Sequence, residues 1–460
     1  MKMSDGLESN KGQVKIKFIT REEDSSLHVS PNPLFVPVTL KRFGLSEIVN
    51  HLLETESPIP FDFIINGTIL KGSLHDYLLQ NGLSSEAFMT VEYTRALLPP
   101  RFLASFSNED WISSIDALGT MATDGGNGEV VTAPKILTGS YDGIVRIYNL
   151  HGKVETQLSG HRQPVKAVKF ISPTKFVSAG MDRDVRLWKA GTVGEEDLGK
   201  ETQNGKTIAL LSYHKSSISS LAVNLSSSRI ISGSYDNTLA IWSTKPKQMS
   251  TSNPLEDLDS RKGNMSSASR KRLKLAVGDS TIKRKSPLAV LESHVRPVED
   301  VIFDTNDDTV GYSVSQDHTV KTWDFVTAKC VDTRRTNHPL LSVTALPNLH
   351  LLATGSSARH INLHDPRSSK ITNSKLVGHR NFVCSLKVPS NNDYMILSGS
   401  HDGTVKVWDV RTNSAIYTIT RESEDPATKV FAVGWEKDIG IISGGNDKKL
   451  QINSEAEFRK

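Results

Sequence analysis

An eleven-residue pattern recurs along this chain in fixed register, and it restricts the fold more than any other feature. Gly399-Ser400-His401-Asp402-Gly403-Thr404-Val405-Lys406-Val407-Trp408-Asp409 aligns without gaps to Gly139–Asn149 and to Gly233–Ser243. The same register returns around Asp182 with Trp188, Asp317 with Trp323, and Asp447, and a degenerate copy has Ala358 and His364 at the Asp and Trp positions. Key positions 142, 182, 236, 317, 358, 402 and 447 are separated by 40, 54, 81, 41, 44 and 45 residues. A period of roughly 40–45 residues marks a supersecondary unit that cannot bury its apolar face alone and must stack on its neighbours. The step of 81 leaves room for a unit plus about forty inserted residues, found between Thr244 and Ser286.

Within each unit the run Thr404, Val405, Lys406, Val407, Trp408 alternates with the period of two of a strand. A histidine precedes the key position by 20 to 23 residues: His161, His214, His294, His338 and His379. The Asp of a tight turn and this His can hydrogen-bond each other and the strand Ser and Trp, satisfying buried groups that would otherwise cost about 1–3 kcal/mol each. The expected networks are His161, Asp182 and Trp188; His214, Asp236 and Trp242; His294, Asp317 and Trp323; and His379, Asp402 and Trp408. These motifs resemble the WD40 family over roughly residues 100 to 455, which implies a mainly β, seven-bladed WD40 β-propeller spanning residues 108–460. Departures are local: Tyr148 and His364 replace the Trp, Ala358 the Asp, and the first and last units lack the His. An open ring would expose sheet edges. Because the last unit ends near Ile452, residues of the 98–107 connector, around Arg101 to Ser107, are expected to supply its outer strand.

Residues 13–97 carry no repeat. Val14, Ile16 and Phe18 alternate with Lys15 and Lys17, and Leu34 to Leu40 reads as a second strand. Leu45, Ile48, Val49, Leu52 and Leu53 share one helical face in a segment that Ser46 could cap. Phe61–Ile65 ends at the turn signal Asn66-Gly67, and Phe88–Thr94 reads as a last strand. The order resembles an N-terminal ubiquitin-like β-grasp (α+β) domain. It has no diglycine tail and runs into Leu97-Leu98-Pro99-Pro100. Residues 1–12 are expected to be flexible.

Composition excludes several classes. With 37% apolar and 23% charged residues and a mean hydropathy of -0.32, the chain has the values of a soluble globular protein. The polar Met1–Lys11 segment and the lack of a long apolar run give the expectation of neither secretion nor membrane insertion. Cys330 and Cys384 are too few for a disulfide framework or a zinc site, so no intrinsic metal is expected. A net charge of +4 does not by itself argue for nucleic acid. The histidines repeat once per unit, as structural groups do and catalytic ones do not. No nucleotide-binding loop, metalloprotease motif or nucleophile elbow occurs, so no enzyme and no small-molecule substrate is expected.

The pair of folds, together with Phe43–Leu53, Gly82-Leu83-Ser84-Ser85-Glu86, Val91–Arg95 and Asn108-Glu109-Asp110-Trp111, resembles the WD-repeat ribosome-biogenesis subunits of the PeBoW complex, fungal members above all. This resemblance implies partners: Pescadillo, the block-of-proliferation protein and the pre-60S particle. It further implies capture of the ubiquitin-like domain by the AAA ATPase midasin, with Glu86 completing the shell of a magnesium ion that midasin holds. Location in nucleus, nucleolus and nucleoplasm follows from the same resemblance. The insertion at 244–286, rich in Ser, Asn, Lys and Arg, is expected to be a disordered loop. Its clusters Arg270-Lys271-Arg272 with Lys274, and Lys283-Arg284-Lys285, fit nuclear import or contact with ribosomal RNA phosphates. The rival reading is a substrate adaptor of a ubiquitin ligase.

Overall fold

Alternation decides the first strand of the chain: Val14, Ile16 and Phe18 are buried on one side of Gln13–Ile19, while Gln13 and Lys15 face solvent. In this computed structural model the described residues are 12–22, 24–55, 57–84, 88–96, 99–125, 128–191, 203–251, 282–368, 374–389, 392, 394–412, 414–421, 425 and 427–454. The chain forms two compact units, one built mainly from Met1–Pro99 and the other from Pro100–Trp408 and Ala415–Glu455.

The N-terminal unit is a five-stranded sheet in the order Leu34–Pro37, Gln13–Ile19, Phe88–Arg95, Phe61–Ile65, Thr68–Ile69. The first strand pairs antiparallel with Leu34–Pro37 and parallel with Phe88–Arg95, the pairing of a β-grasp domain. Leu45 and Val49 of the helix Arg42–Leu52 bury against this sheet with Phe61, Phe63 and Tyr93. Tyr93 donates to the Leu27 carbonyl at 2.6 Å and accepts from the Val29 amide at 2.8 Å, so the loop after the first strand is tied to the core. Ser46 is not the cap expected of it. The helix starts a turn earlier, and Ser46 lies inside it, bonding Ile59 O and Phe61 N to hold the next strand. A second helix, Leu74–Gln80, is closed by a capping box between Ser73 and Asp76.

The C-terminal unit holds seven four-stranded antiparallel sheets, two of them extended by a fifth, parallel strand. The inner strands are Ile112–Leu118, Val165–Ser172, Ile218–Asn224, Val298–Phe303, Leu340–Leu346, Val383–Lys387 and Val430–Glu436, for blades one to seven. Each adjoins the next in order, and the seventh adjoins the first, so the ring is closed. The outer strand of blade seven is Arg101–Ser107, which pairs with Lys449–Ser454 from Ser107 opposite Lys449 to Arg101 opposite Ser454. The seam is apolar as well: Ile112, Ile115 and Ile136 of blade one bury against Ala432, Ile439, Ile442 and Leu450 of blade seven. This is the seven-bladed WD40 propeller.

The expected limits of the insertion need correction. Pro246–Gln248 forms a short helical turn and Met249 is buried in the core between blades two and three. Thr251 bridges Lys285, and Ser286 N donates to Ser250 O at 3.1 Å, so the two ends of the insertion are clamped together. Arg284–Lys285 adds a parallel strand to the outer edge of blade two, opposite Leu210 and Leu211. Residues 252–281, and with them Arg270, Lys271, Arg272 and Lys274, lie outside the described residues.

Candidate functional site

Four blades build the same buried tetrad. In blade six, His379 Nδ1 lies 2.8 Å from Asp402 and Nε2 lies 2.6 Å from Ser398 Oγ, which also accepts from Trp408 Nε1 at 2.7 Å. Blade two repeats this with His161, Asp182, Ser178 and Trp188 at 2.6 to 2.9 Å. Blade three uses His214, Asp236, Ser232 and Trp242 at 2.7 to 3.0 Å, and blade four His294, Asp317, Ser313 and Trp323 at 2.7 to 2.8 Å. Burial opposes ionisation of Asp236, Asp317 and Asp402. Bonds from the histidine, from Thr238, Thr319 and Thr404, and from backbone amides outweigh it and hold these carboxyls well below the usual range. All four histidine side chains are 0% exposed. No substrate can reach them, so their chemistry is structural.

The remaining blades solve the same problem with other residues. Blade seven, expected to lack part of the network because it has no histidine, uses Arg421. Its guanidinium donates to Asp447 at 2.7 and 2.9 Å and to Ser443 Oγ at 2.7 Å, the two partners a histidine would bridge. Blade five places His364 at the Trp position, where Nε2 meets Thr354 Oγ1 at 2.8 Å, while His338 is exposed. In blade one Arg146 pairs with Asp142 at 2.8 Å and with Glu109 at 3.1 Å.

The turn that carries the Asp is the same in all seven blades. The residue after the Asp position has positive φ throughout: Gly143, Arg183, Asn237, His318, Arg359, Gly403 and Lys448, between 59° and 80°. At Gly403 a Cβ would stand 2.8 Å from the Thr428 carbonyl, so no other residue fits there without movement.

The axis of the ring is a narrow polar cavity of about 170 Å³ lined by the inner strands. Asp116 accepts from Lys169 Nζ at 3.0 Å and from Phe170 N at 2.9 Å, joining blades one and two. Asp300 likewise accepts from Val343 N at 2.9 Å, joining blades four and five. Burial raises the Asp300 carboxyl to about 6, and the Lys169 ammonium, then burial, lowers Lys387. Cys384 donates to Val430 O at 3.0 Å, and burial pushes its thiol up to about 12, so it is an inert clasp between blades six and seven. No sequence motif marks these groups, because they meet only when the inner strands come together. Among the described residues no group of His, Cys, Asp and Glu has the arrangement of a metal site, and no helix is long and apolar enough to cross a membrane.

The candidate contact residues fare differently. Glu86 lies outside the described residues, between Ser84 and the strand that begins at Phe88. Lys283 is exposed and Arg284 half-buried, but Lys285 is buried, its ammonium donating to Met249 O at 2.9 Å and Thr251 Oγ1 at 3.0 Å. The expectation that Lys283-Arg284-Lys285 forms a free basic cluster is therefore corrected. Strand pairing holds the backbone of Arg284 and Lys285, and an amine so engaged cannot serve an import receptor or a phosphate.

Residues 14–78 match the NLE (NUC135) domain family, and residues 152–189, 205–243, 285–324 and 370–409 match the WD domain, G-beta repeat. Over nearly its whole length the chain is similar to proteins named ribosome biogenesis protein YTM1. That of Scheffersomyces stipitis is 58% identical over 472 aligned positions, covering 99% of this chain and 100% of the relative. That of Candida albicans is 58% identical over 464, covering 98% and 99%, and that of Saccharomyces cerevisiae 54% over 465, covering 96% and 98%.

Proposed function

The chain belongs to the family of fungal ribosome biogenesis proteins YTM1, and on that premise we propose that it is a non-enzymatic assembly factor of the large ribosomal subunit, acting in maturation of its RNA. The propeller serves as the scaffold that joins Pescadillo and the block-of-proliferation protein in PeBoW on the pre-60S particle. The ubiquitin-like domain serves as the handle by which midasin removes the complex, with Glu86 as a ligand to midasin's magnesium ion. Nucleus, nucleolus and nucleoplasm are the corresponding places of action.

The observation that carries this reading is full-length similarity across both folds, joined to a ring whose repeated histidines are sealed from solvent. A rigid multi-sided body with buried polar chemistry suits assembly and leaves no accessible catalytic group at those sites. Co-sedimentation of the tagged full chain with large-subunit precursors tests it. Migration with those precursors is the expected result. Association with ubiquitin-ligase subunits instead, and absence from precursor fractions, would replace the scaffold by a ligase adaptor.

A further inference from the structure

Blade two departs from the charge pattern of the repeat. The residue after the repeat Trp is Asp324 in blade four and Asp409 in blade six, but it is Lys189 in blade two. Strand register places Lys189 opposite Lys175 on one side and opposite Lys206 on the other. Residues opposite one another project from the same face of a sheet, and strands about 4.8 Å apart crowd these three like charges within about 10 Å, an arrangement that destabilises a sheet. All three lysines are exposed, and none of their ammonium groups has a hydrogen bond or ion pair among the described residues.

Other blades avoid such a row. Lys135 begins the second strand of blade one as Lys175 does in blade two, but Glu155 pairs with it at 2.8 Å. In blade four the corresponding row is Val310, Asp324 and Lys329, with one charge of each sign. Folding of a blade therefore does not call for the lysine ladder.

The ladder borders a groove between blades two and three. Alternation puts Lys175 on the side of Val177 and Ala179, and Lys189 on the side of Leu187 and Val185; these apolar residues pack against Ile218, Ile230 and Trp242 of blade three. Met249 enters the same cluster and fixes the turn Pro246–Gln248 beside the groove, with Lys245 and Lys247 exposed on it. Lys283 is exposed at the outer edge of blade two, where its carbonyl accepts from Leu210 N at 3.1 Å. Over residues 172–191, 203–212 and 243–251 the carboxylates are Asp182 and Asp184, both at the opposite end of the blade. Asp307, Asp308 and Asp438, exposed at the same end of the ring as the ladder, stand on blades four and seven.

We propose that this groove binds the phosphate backbone of double-helical RNA. The proposal deepens the reading of the chain as an assembly factor on precursor particles and rests on it. Lysine ammonium groups meet a polyanion as point charges and release its counterions, whatever the bases. Among the described residues, none of the large exposed apolar side chains belongs to the three segments around the groove. A protein partner therefore finds no anchor to bury, and an unpaired base finds no ring to stack on. A regular helix of phosphates needs neither.

The test measures binding of a labelled RNA duplex of about twenty base pairs to the full chain, by fluorescence anisotropy across a salt series. Lys175→Gln with Lys189→Gln and Lys206→Gln should weaken binding about tenfold or more and reduce the salt slope of log affinity by about two to three. The same variant should keep or raise Tm, because it separates like charges. Lys329→Gln with Arg367→Gln and Lys437→Gln removes equal charge from other blades at the same end, and should weaken binding by less than about threefold. The segment 192–202 carries Glu195, Glu196, Asp197 and Glu201 and lies outside the described residues. If those carboxylates neutralise the ladder within the chain, the ladder variant binds RNA as the wild type does, and the proposal fails. It fails equally if the two triple variants weaken binding alike, or if binding is lost on deleting 253–281 but not in the ladder variant. Poly-glutamate of equal charge that displaces the duplex as well as unlabelled duplex does would overturn it in favour of an acidic protein segment. Co-sedimentation with precursors is scored separately: a wild-type chain that joins particles while the ladder variant binds duplex normally refutes the groove and spares the assembly reading.

Discussion

Removing the carboxylate of Asp402 tests whether the blade tetrads stabilise the ring. Asp402 accepts from His379 Nδ1 at 2.8 Å, Arg380 N at 2.9 Å, Thr404 N at 3.0 Å and Thr404 Oγ1 at 2.6 Å. In Asp402→Ala the Arg380 amide and the Thr404 groups lie near enough to the surface to find water, whereas His379 is 0% exposed and cannot. One buried polar group left unsatisfied costs about 1–3 kcal/mol, and partial loss of the other three bonds places the sum near the upper end, about 2–3 kcal/mol. At roughly 2 °C per kcal/mol for a domain of this size, Tm should fall by about 4–6 °C in a calorimetric scan at pH 7. The pH dependence adds a second check. Although burial opposes ionisation, hydrogen bonds depress the folded-state pKa of Asp402, so its contribution is present above the unfolded value of about 3.9 and is lost as pH falls below it. The Tm gap between wild type and Asp402→Ala should be constant from pH 5 to 8 and narrow below about pH 4. A gap of less than 1 °C at pH 7, or one that widens in acid, would refute the network as a source of stability.

Other outcomes follow from the same geometry. Arg421→Ala should cost more than Asp402→Ala, about 3–5 kcal/mol, because it leaves Asp447 as an uncompensated buried charge, and thermal unfolding of the two variants side by side decides this. Deleting residues 253–281 should leave Tm within about 1 °C, since the clamp of Thr251 and Lys285 remains, whereas deleting 245–286 removes Met249 and Lys285 and should lower it by several degrees. Neutralising Arg270, Arg272, Lys271 and Lys274 should weaken nuclear accumulation of a fluorescent fusion, and Lys285→Ala should act on Tm instead. Glu86→Gln and Glu86→Asp should both weaken capture of the full chain by midasin's adhesion domain in magnesium, without unfolding, and binding that survives a chelator would remove the metal from the mechanism.

What could be read from the sequence was whatever repeats or alternates. The Asp and Trp positions recur in register, and strand alternation is visible in the seven letters of Gln13–Ile19, so both folds follow from local pattern. Ring closure follows from length, because Lys449–Ser454 already occupies the third place in its blade and Arg101–Ser107 stands in the fourth. What could not be read depends on contacts between distant segments. Arg421 replaces a histidine from outside the repeat's His register, and an Arg among other charged residues carries no sign that its guanidinium will be buried on Ser443 and Asp447. Lys285 sits in a basic run that looks solvated until its backbone pairs with Leu211, a strand 74 residues earlier that belongs to another blade. Ser46 reads as a cap by composition, yet Leu45 and Val49 bury deeply enough to carry the helix back past it to Arg42. In each case tertiary packing overrode a local signal, and the substituted group still meets the same demand: a buried polar atom must find a partner, whichever residue type supplies it. The cations at Arg183, Arg359 and Lys448 differ in this respect. Burial and turn geometry account for the Asp before Arg183 and Lys448 and for glycine at Gly143 and Gly403, but neither calls for a long charged side chain at positive φ.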